Sequence, residues 1–203
     1  MESHKILLLF IWIIIGYISG SIPIGYIMGK LNGIDLTKEG SGSTGATNVL
    51  RKVGKIAAIL TLLLDALKGF IPVYLAIRLQ PCTFLVICVA ISCIVGHSKS
   101  IFLKFKGGKS SATGLGILIA LSWEVALITF FIWLVVVITS RYSSLGSIVA
   151  VPLAPLGLYL FHKPDSYVIF GVIASIYIVL IRHRENIKRL MKGTEPKIGQ
   201  NTT

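Results

Sequence analysis

Two short stretches hold residues whose types and spacing can do chemistry. The first reads Gly40-Ser41-Gly42-Ser43-Thr44-Gly45-Ala46-Thr47-Asn48-Val49-Leu50-Arg51. Its three glycines and four hydroxyls within eight residues make a nest of backbone N–H groups and short hydrogen-bonding side chains. Asn48 and Arg51 close it, and the arginine fork suits bidentate phosphate recognition. The second reads Gly96-His97-Ser98-Lys99-Ser100-Ile101-Phe102-Leu103-Lys104-Phe105-Lys106-Gly107-Gly108-Lys109-Ser110-Ser111-Ala112-Thr113. Here Lys99, Lys104, Lys106 and Lys109 stand around a glycine pair whose missing Cβ atoms let N–H groups approach an anion. His97 can serve as a general base or donate to an oxyanion. Phosphate handling is the chemistry both stretches suit.

Smaller groups extend the pattern. Arg141-Tyr142-Ser143-Ser144-Leu145-Gly146-Ser147 adds a cation and hydroxyls, with Ser144 and Ser147 as candidate substrate contacts. His183 and Asn186 are spaced i, i+3 on a basic segment with an apolar stripe at Ile187 and Leu190, which predicts a short helix lying on a membrane. Asp65 and Lys68 share a helical face inside an apolar run, as an ion pair or as a wall of the site. Gly40-x4-Gly45 is followed by Ala46-Thr47 rather than Lys-Ser/Thr, which argues against a nucleotide loop. No paired carboxylates, no Ser–His–Asp set and no HExxH spacing occur, and Cys82, Cys88 and Cys93 lack metal spacing and read as apolar fillers. No metal and no cofactor are expected.

The elements that must position these groups are membrane helices. The 203-residue chain is 54% hydrophobic and 14% charged, against about 45–50% and about 25% for a soluble domain. Apolar runs fall at about 5–29, 56–79, 83–96, 112–122, 123–139, 145–161 and 166–181, of which 83–96 and 112–122 are short for a span of about 20 residues. A cleaved signal peptide is not expected, because the first run is long and no A-x-A site follows. The net charge of +12 is concentrated between and after apolar runs, which points to a lipid surface and not to nucleic acid. Loops 30–55, 97–111 and 140–144 with the tail 182–203 carry 16 Lys and Arg, against 3 on the opposite side. The positive-inside rule puts that group in the cytoplasm. The expectation is an all-α polytopic membrane protein of about seven transmembrane helices, a single domain over 1–203, N-terminus outside, C-terminus and site cytoplasmic. Turns are expected at Gln80-Pro81, Ser122-Trp123-Glu124 and His162 to Asp165.

With these motifs in order along nearly the whole chain, the sequence resembles the acyl-phosphate:glycerol-3-phosphate acyltransferases, the small bacterial PlsY-type membrane enzymes. The resemblance rests on Ser21-Ile22-Pro23 and Gly29-Lys30, GSGSTGATNVLR at 40–51, LLLDALKGFIPV at 62–73, GHSKSIFLKFKGGKSSAT at 96–113, RYSSLGSI at 141–148 and HRENIKRLMKGTEPKIG at 183–199. It implies acyl transfer from acyl phosphate to glycerol 3-phosphate, giving 1-acyl-glycerol 3-phosphate and phosphate, in a bacterial inner or plasma membrane, by a protein expected to be monomeric. It also implies roles for Ser41, Arg51, His97, Lys109 and Asn186 as the catalytic set. Substrate contacts are expected from Gly42, Thr44, Asn48, Lys104, Lys106, Gly107, Gly108, Ser144, Ser147 and His183. Thr44 stands where the family usually has Asn, Ser100 for a frequent Pro, and Ser110-Ser111 for Gly-Val. Ser110 is therefore expected to lose a backbone conformation open chiefly to glycine.

Two other classes compete on the residues alone. A phosphate or organic-anion transporter shares the basic loops, but predicts charges or broken helices at the midplane and an internal repeat, of which only Asp65/Lys68 qualifies. A lipid-binding scaffold does not explain two separate loops of glycine, hydroxyl and cation.

Overall fold

The computed structural model describes residues 2–80 and 82–200; Pro81 of the expected turn lies outside them. Among the described residues the regular elements are helices: α1 (Glu2–Ser21), α2 (Ile24–Leu31), α3 (Ala46–Lys52), α4 (Lys55–Leu79), α5 (Thr83–Ser98), α6 (Ser111–Leu121), α7 (Trp123–Ser140), α8 (Ser143–Leu160), α9 (Asp165–Ile176) and α10 (Arg184–Met191). A π-helical turn, Tyr177–Arg182, prolongs α9.

The apolar run at 5–29 is split. Pro23 lacks an N–H and disfavours helix at Ile22, so α1 stops and α2 restarts. Pro72 in α4 and Pro152 and Pro155 in α8 break nothing, as is common where neighbouring helices satisfy the freed carbonyls in lipid. Among the described residues, five stretches are long and apolar enough to cross a membrane: Ser3–Leu31, Lys55–Leu79, Trp123–Ser140, Ser143–Leu160 and Asp165–Arg182. The two remaining apolar helices are shorter, α5 with 16 residues and α6 with 11. At about 1.5 Å per residue, α6 is about 17 Å long, well under a hydrocarbon core of about 30 Å.

Burial follows the same solvent. Ile6, Phe10 and Ile14 on α1, Phe131 and Ile138 on α7, and Leu156 and Leu160 on α8 all face outward. In water such a surface would drive aggregation; against lipid tails it is matched. The interior holds one apolar cluster around Trp12, Val73, Val89, Cys93, Ile117 and Phe170, a second around Leu118, Val125, Ala154 and Leu158, and a third around Leu36, Val49 and Ala58. Cys93 is thus a core filler, whereas Cys82 is exposed. Helices α4 and α6 cross closely because Gly69 and Gly116 lack side chains: a Cβ there would land on the carbonyl oxygens of Thr113 and Ala66. Small-residue contacts of this kind are how membrane helices approach one another. That crossing holds Asp65 of α4 and Lys109 at the foot of α6 on one wall.

Candidate active site

A cavity of about 450 Å³ opens where the 41–51 segment, α4, α6, α7, α8 and the tail meet. One end is polar, lined by Ser41, Arg51, His97, Lys109, Ser144, Ser147, His183 and Asn186. The lining turns apolar from Lys109 at the foot of α6 to Leu115 and along α8 from Ser144 and Ser147 to Val151, and Ile59, Leu62, Phe130 and Trp133 add apolar surface. The structure therefore brings together residues from all the stretches singled out in the sequence.

The first wall is built by Asn48. Its Nδ2 donates to the carbonyls of Glu39 at 3.0 Å and Ser43 at 2.9 Å, and its Oδ1 accepts from the N–H of Ser41 at 3.3 Å. Asn48 lines the cavity but its amide is committed to the loop, so the expected substrate contact becomes a loop-holding role. A Cβ on Gly40 would collide with Asn48 Oδ1, and Gly40 and Gly42 both take positive φ. Gly42 and Thr44 lie off the cavity wall, and Thr44 is buried. Helix α3 then presents Thr47 and Arg51 one turn apart. Thr47 Oγ1 is 2.9 Å from Ser143 Oγ, and Arg51 Nη2 donates to the carbonyl of Pro196 at 2.7 Å. Arg51 Nε is buried without a partner. Burial pulls the Arg51 pKa down and Arg189 adds to this, while Glu195 opposes them.

The second wall is the glycine–lysine segment. The expectation was that Gly107 and Gly108 leave N–H groups free for an anion. The structure gives another reason for both glycines. The Gly108 N–H donates to the His97 carbonyl at 3.1 Å. A Cβ on Gly107 would land on that same carbonyl, and one on Gly108 on His97 Nε2. The glycines let the segment lie directly on His97, and neither lines the cavity. Lys104 and Lys106 are exposed and lie away from it. Lys109 alone of these lysines reaches the wall, half-buried. Burial pulls its ammonium from the ordinary 10.5 to about 8; Arg189, Arg51 and Arg182 push the same way and Glu195 opposes them.

His97 is held on its other side. Its Nδ1 is 3.1 Å from Thr113 Oγ1 and 3.6 Å from Asp65 Oδ1. Asp65 Oδ1 is 2.8 Å from Lys68 Nζ, which donates to the Ile22 carbonyl at 2.7 Å beside the Pro23 break. Asp65 and Lys68 thus satisfy both readings: an ion pair, and a cavity wall at Asp65.

Two departures from the family's pattern, Ser110 and Ser100, are accommodated. Ser110 keeps the left-handed conformation, φ 66°, that it was expected to lose, and its Oγ donates to the Ile94 carbonyl at 3.0 Å. Ser100 sits at φ −65°, a value proline would share. It uses what proline lacks: its N–H bonds the Lys106 carbonyl at 3.1 Å and its Oγ the Ser21 carbonyl at 2.6 Å.

The tail closes the site. His183 Nδ1 donates to the Ile178 carbonyl at 2.8 Å, and burial, reinforced by Lys109, lowers its pKa to about 4. The ring is neutral near pH 7, leaving Nε2 as an acceptor. The helix predicted around His183 and Asn186 is α10, with Asn186 buried and Arg184, Glu185 and Lys188 exposed. Two residues passed over in the sequence hold these parts together. Glu195 is buried; its Oε1 accepts from Asn186 Nδ2 and Ser144 Oγ, both at 2.7 Å, and its Oε2 from Arg189 Nε at 2.7 Å. Burial would raise the Glu195 pKa, but these donors lower it below the ordinary 4.5. Arg182 donates to the Gly108 carbonyl at 2.8 Å, clamping the glycine segment. A signal existed for each: one of two acids in a basic tail, Glu185 being the other, and a cation at the end of a span.

The chain was compared with known proteins. The glycerol-3-phosphate acyltransferase family profile matches residues 10–193. A glycerol-3-phosphate acyltransferase of Synechococcus sp. (strain JA-3-3Ab) is 49% identical over 186 residues, 91% of each chain. One from Thermotoga petrophila is 46% identical over 91% of this chain and 94% of that one. The crystal structure of PlsY, an integral membrane glycerol 3-phosphate acyltransferase in its glycerol 3-phosphate form, superposes with a TM-score of 0.90 at 38% identity, covering 94% of this chain and 96% of that one. Its lysophosphatidic acid form gives 0.87. Profile, full-length relatives and fold agree with the motifs that converge on the cavity, and the chain belongs to the glycerol-3-phosphate acyltransferase family.

Proposed function

We propose that the cavity transfers a fatty acyl group from an acyl phosphate to a hydroxyl of glycerol 3-phosphate, releasing phosphate and 1-acyl-glycerol 3-phosphate. The observation that carries this is a single cavity of about 450 Å³ with a cationic, hydroxyl-lined end and an apolar end. Two phosphate head groups suit the first and an alkyl chain suits the second. The donor is already a mixed anhydride, so the protein chiefly has to bring two anions together and stabilise the developing oxyanion. Arg51 and Lys109 supply charge against their mutual repulsion, with Ser41, Ser144, Ser147 and Asn186 as donors. In the step itself, the glycerol oxygen bonds to the acyl carbon and the carbon–oxygen bond to phosphate breaks. The hydroxyl proton passes to a phosphate oxygen, and His183 Nε2 is an acceptor within the same wall. His97 is a positioning residue in this reading, since its ring is fixed by Thr113, Asp65 and Gly108.

We read the chain as a monomeric single-domain enzyme of a bacterial inner or plasma membrane, its relatives being bacterial. Seven crossings with the N-terminus outside and the C-terminus and site cytoplasmic fit the Lys and Arg asymmetry of 16 to 3. The short α5 and α6 count as crossings through local thinning of the bilayer.

The test is phosphate release by the purified protein in detergent with acyl phosphate and glycerol 3-phosphate. Release should depend on both substrates and fall by about a thousandfold in Lys109→Ala, of the order seen when a transition-state charge donor is lost. No release above that variant would sink the reading. His97→Gln that bound both substrates but did not turn over would restore His97 as the base.

A further inference from the structure

Beneath the main cavity lies a second one of about 70 Å³, which shares the side chains of Ser111, Leu115, Thr129 and Val151 with it. The two are stacked along the helices. On α8, Ser144 and Ser147 line the outer cavity, Val151 lines both, and Ala154 and Leu158 line the inner one. From Ser147 to Leu158 is about 16 Å of helix. The order on α6 is the same: Ser111 and Leu115 at the junction, Leu118 below. The inner space therefore continues the apolar end of the main cavity away from the phosphate-binding end and into the helix bundle.

Apart from Ser111 at its mouth, its walls are apolar in fact as well as in composition. The hydroxyls of Thr129 and Ser175 are turned to helix carbonyls, at 2.8 Å to Val125 and 2.7 Å to Gly171. What they present to the space is methyl and methylene surface. Such a cavity stays dry, so an alkyl chain entering it gains dispersion contacts without displacing bound water. The space exists because small residues (Gly114, Ala154, Gly171 and Ala174) stand where α6, α8 and α9 face one another. It ends against Leu118, Leu158 and Phe170, each buried and each part of a packed apolar cluster. One water-sized group needs roughly 10–15 Å³ on this measure, so the space takes about five methylene or methyl groups. At the junction, Ser111 Oγ is buried with no hydrogen-bond partner. That hydroxyl marks the boundary between the cationic end and the apolar arm, which the alkyl chain of an acyl phosphate would have to cross.

We propose that the inner cavity is a receptor for the distal end of the acyl chain, and that its floor at Leu158 and Phe170 sets the longest chain the enzyme accepts. The inference rests on the acyl-transfer reading above. A chain that fits ends against the floor with its last five or so carbons in the arm, its nearer methylenes along Leu115 and Val151 of the main cavity and its head group at Arg51 and Lys109. A longer one must buckle or withdraw its head group from Arg51 and Lys109. Each methylene denied burial costs about fourfold in kcat/KM.

The experiment compares octanoyl, dodecanoyl, palmitoyl and stearoyl phosphate as donors for the unsubstituted chain, Ala174→Leu and Phe170→Ala. Ala174→Leu fills the arm and should lower kcat/KM for palmitoyl phosphate by at least about tenfold relative to octanoyl phosphate. Phe170→Ala lowers the floor and should move the optimum towards stearoyl phosphate. The two opposite shifts separate a ruler from general damage to the fold. Unchanged donor ratios in both variants, or equal loss at every length, overturn the cavity assignment while leaving the acyltransferase reading intact. No turnover of any donor by the unsubstituted chain overturns both.

Discussion

At the scale of single residues, Lys109 carries the clearest pH signature. Its ammonium titrates at about 8 because it is half-buried among Arg189, Arg51 and Arg182, with Glu195 in partial compensation. Below that value it is charged and attracts phosphate; as pH rises through it, the free enzyme loses the charge. The kcat/KM for glycerol 3-phosphate should therefore fall on the alkaline side of about pH 8, by about tenfold per further pH unit. Lys109→Arg, which keeps its charge at any such pH, should remove that limb whatever it does to kcat. Ser110 gives a stability prediction. Its left-handed backbone at φ 66° is strained for a side chain, and its hydroxyl bond to Ile94 compensates. Ser110→Ala keeps the strain and loses the bond, so it should cost about 1 kcal/mol. Ser110→Gly loses the bond but also about 1 kcal/mol of strain, and should be close to neutral. Thermal unfolding in one detergent checks the pair; equal destabilisation by both would mean that the strain is not felt.

At the scale of elements, α10 and the tail are joined through Glu195, and the tail is tied to the helix bundle at Glu195, Pro196 and Ile198, the last by two bonds to Arg141. One carboxylate holds Asn186 of α10, Ser144 of α8 and Arg189, and the adjacent Pro196 carbonyl holds Arg51 of α3. Removing one member of a buried charged network leaves the others unpaired, at about 3 kcal/mol. Glu195→Ala should lower the unfolding midpoint and raise KM for glycerol 3-phosphate together, because Asn186 and Ser144 lose their anchor. Glu195→Gln keeps an acceptor for both and should recover part of KM. If KM stayed at the parent value in Glu195→Ala, the tail would not shape the site. The low pKa of Glu195 means this attachment holds at neutral pH and loosens only in acid, below the ordinary 4.5. The glycine–lysine segment is clamped in the same manner, by Arg182 from one side and by the His97 carbonyl from the other.

At the scale of the whole molecule, the prediction concerns sidedness. Cys82 is exposed in the connection between α4 and α5, while Lys106 is exposed in the connection between α5 and α6. With the basic loops cytoplasmic, a membrane-impermeant maleimide should label Cys82 in intact cells. In a Cys82→Ser background, Lys106→Cys should label only after permeabilisation. The reverse pattern would invert the topology and put the site outside. The same experiment tests whether the 16-residue α5 counts as a crossing, since it separates the two probes.

How much was legible in the sequence differs with distance along the chain. Hydrophobic runs, the loops between them and the phosphate-type motifs are local, and they are where the helices and the cavity's polar wall stand. The motifs also carried the family, because several in fixed order are far more specific than one glycine-rich loop. What failed to show was anything depending on which residues meet across the fold. Asn48 looked like a substrate ligand and is occupied by its own loop. Gly107 and Gly108 looked like an anion nest and instead make room for His97. Lys104 and Lys106 were expected to touch substrate beside Lys109, but both are exposed and off the cavity wall. By itself the sequence determined the solvent, the class of helix and the chemistry of the loops, since each follows from residue type and spacing. The tertiary structure alone decided which cations face the cavity, that Glu195 and Arg182 tie it shut, and that an apolar arm continues below it. Those features come from contacts such as Arg51 to Pro196, 145 residues apart, which only packing brings within hydrogen-bond reach.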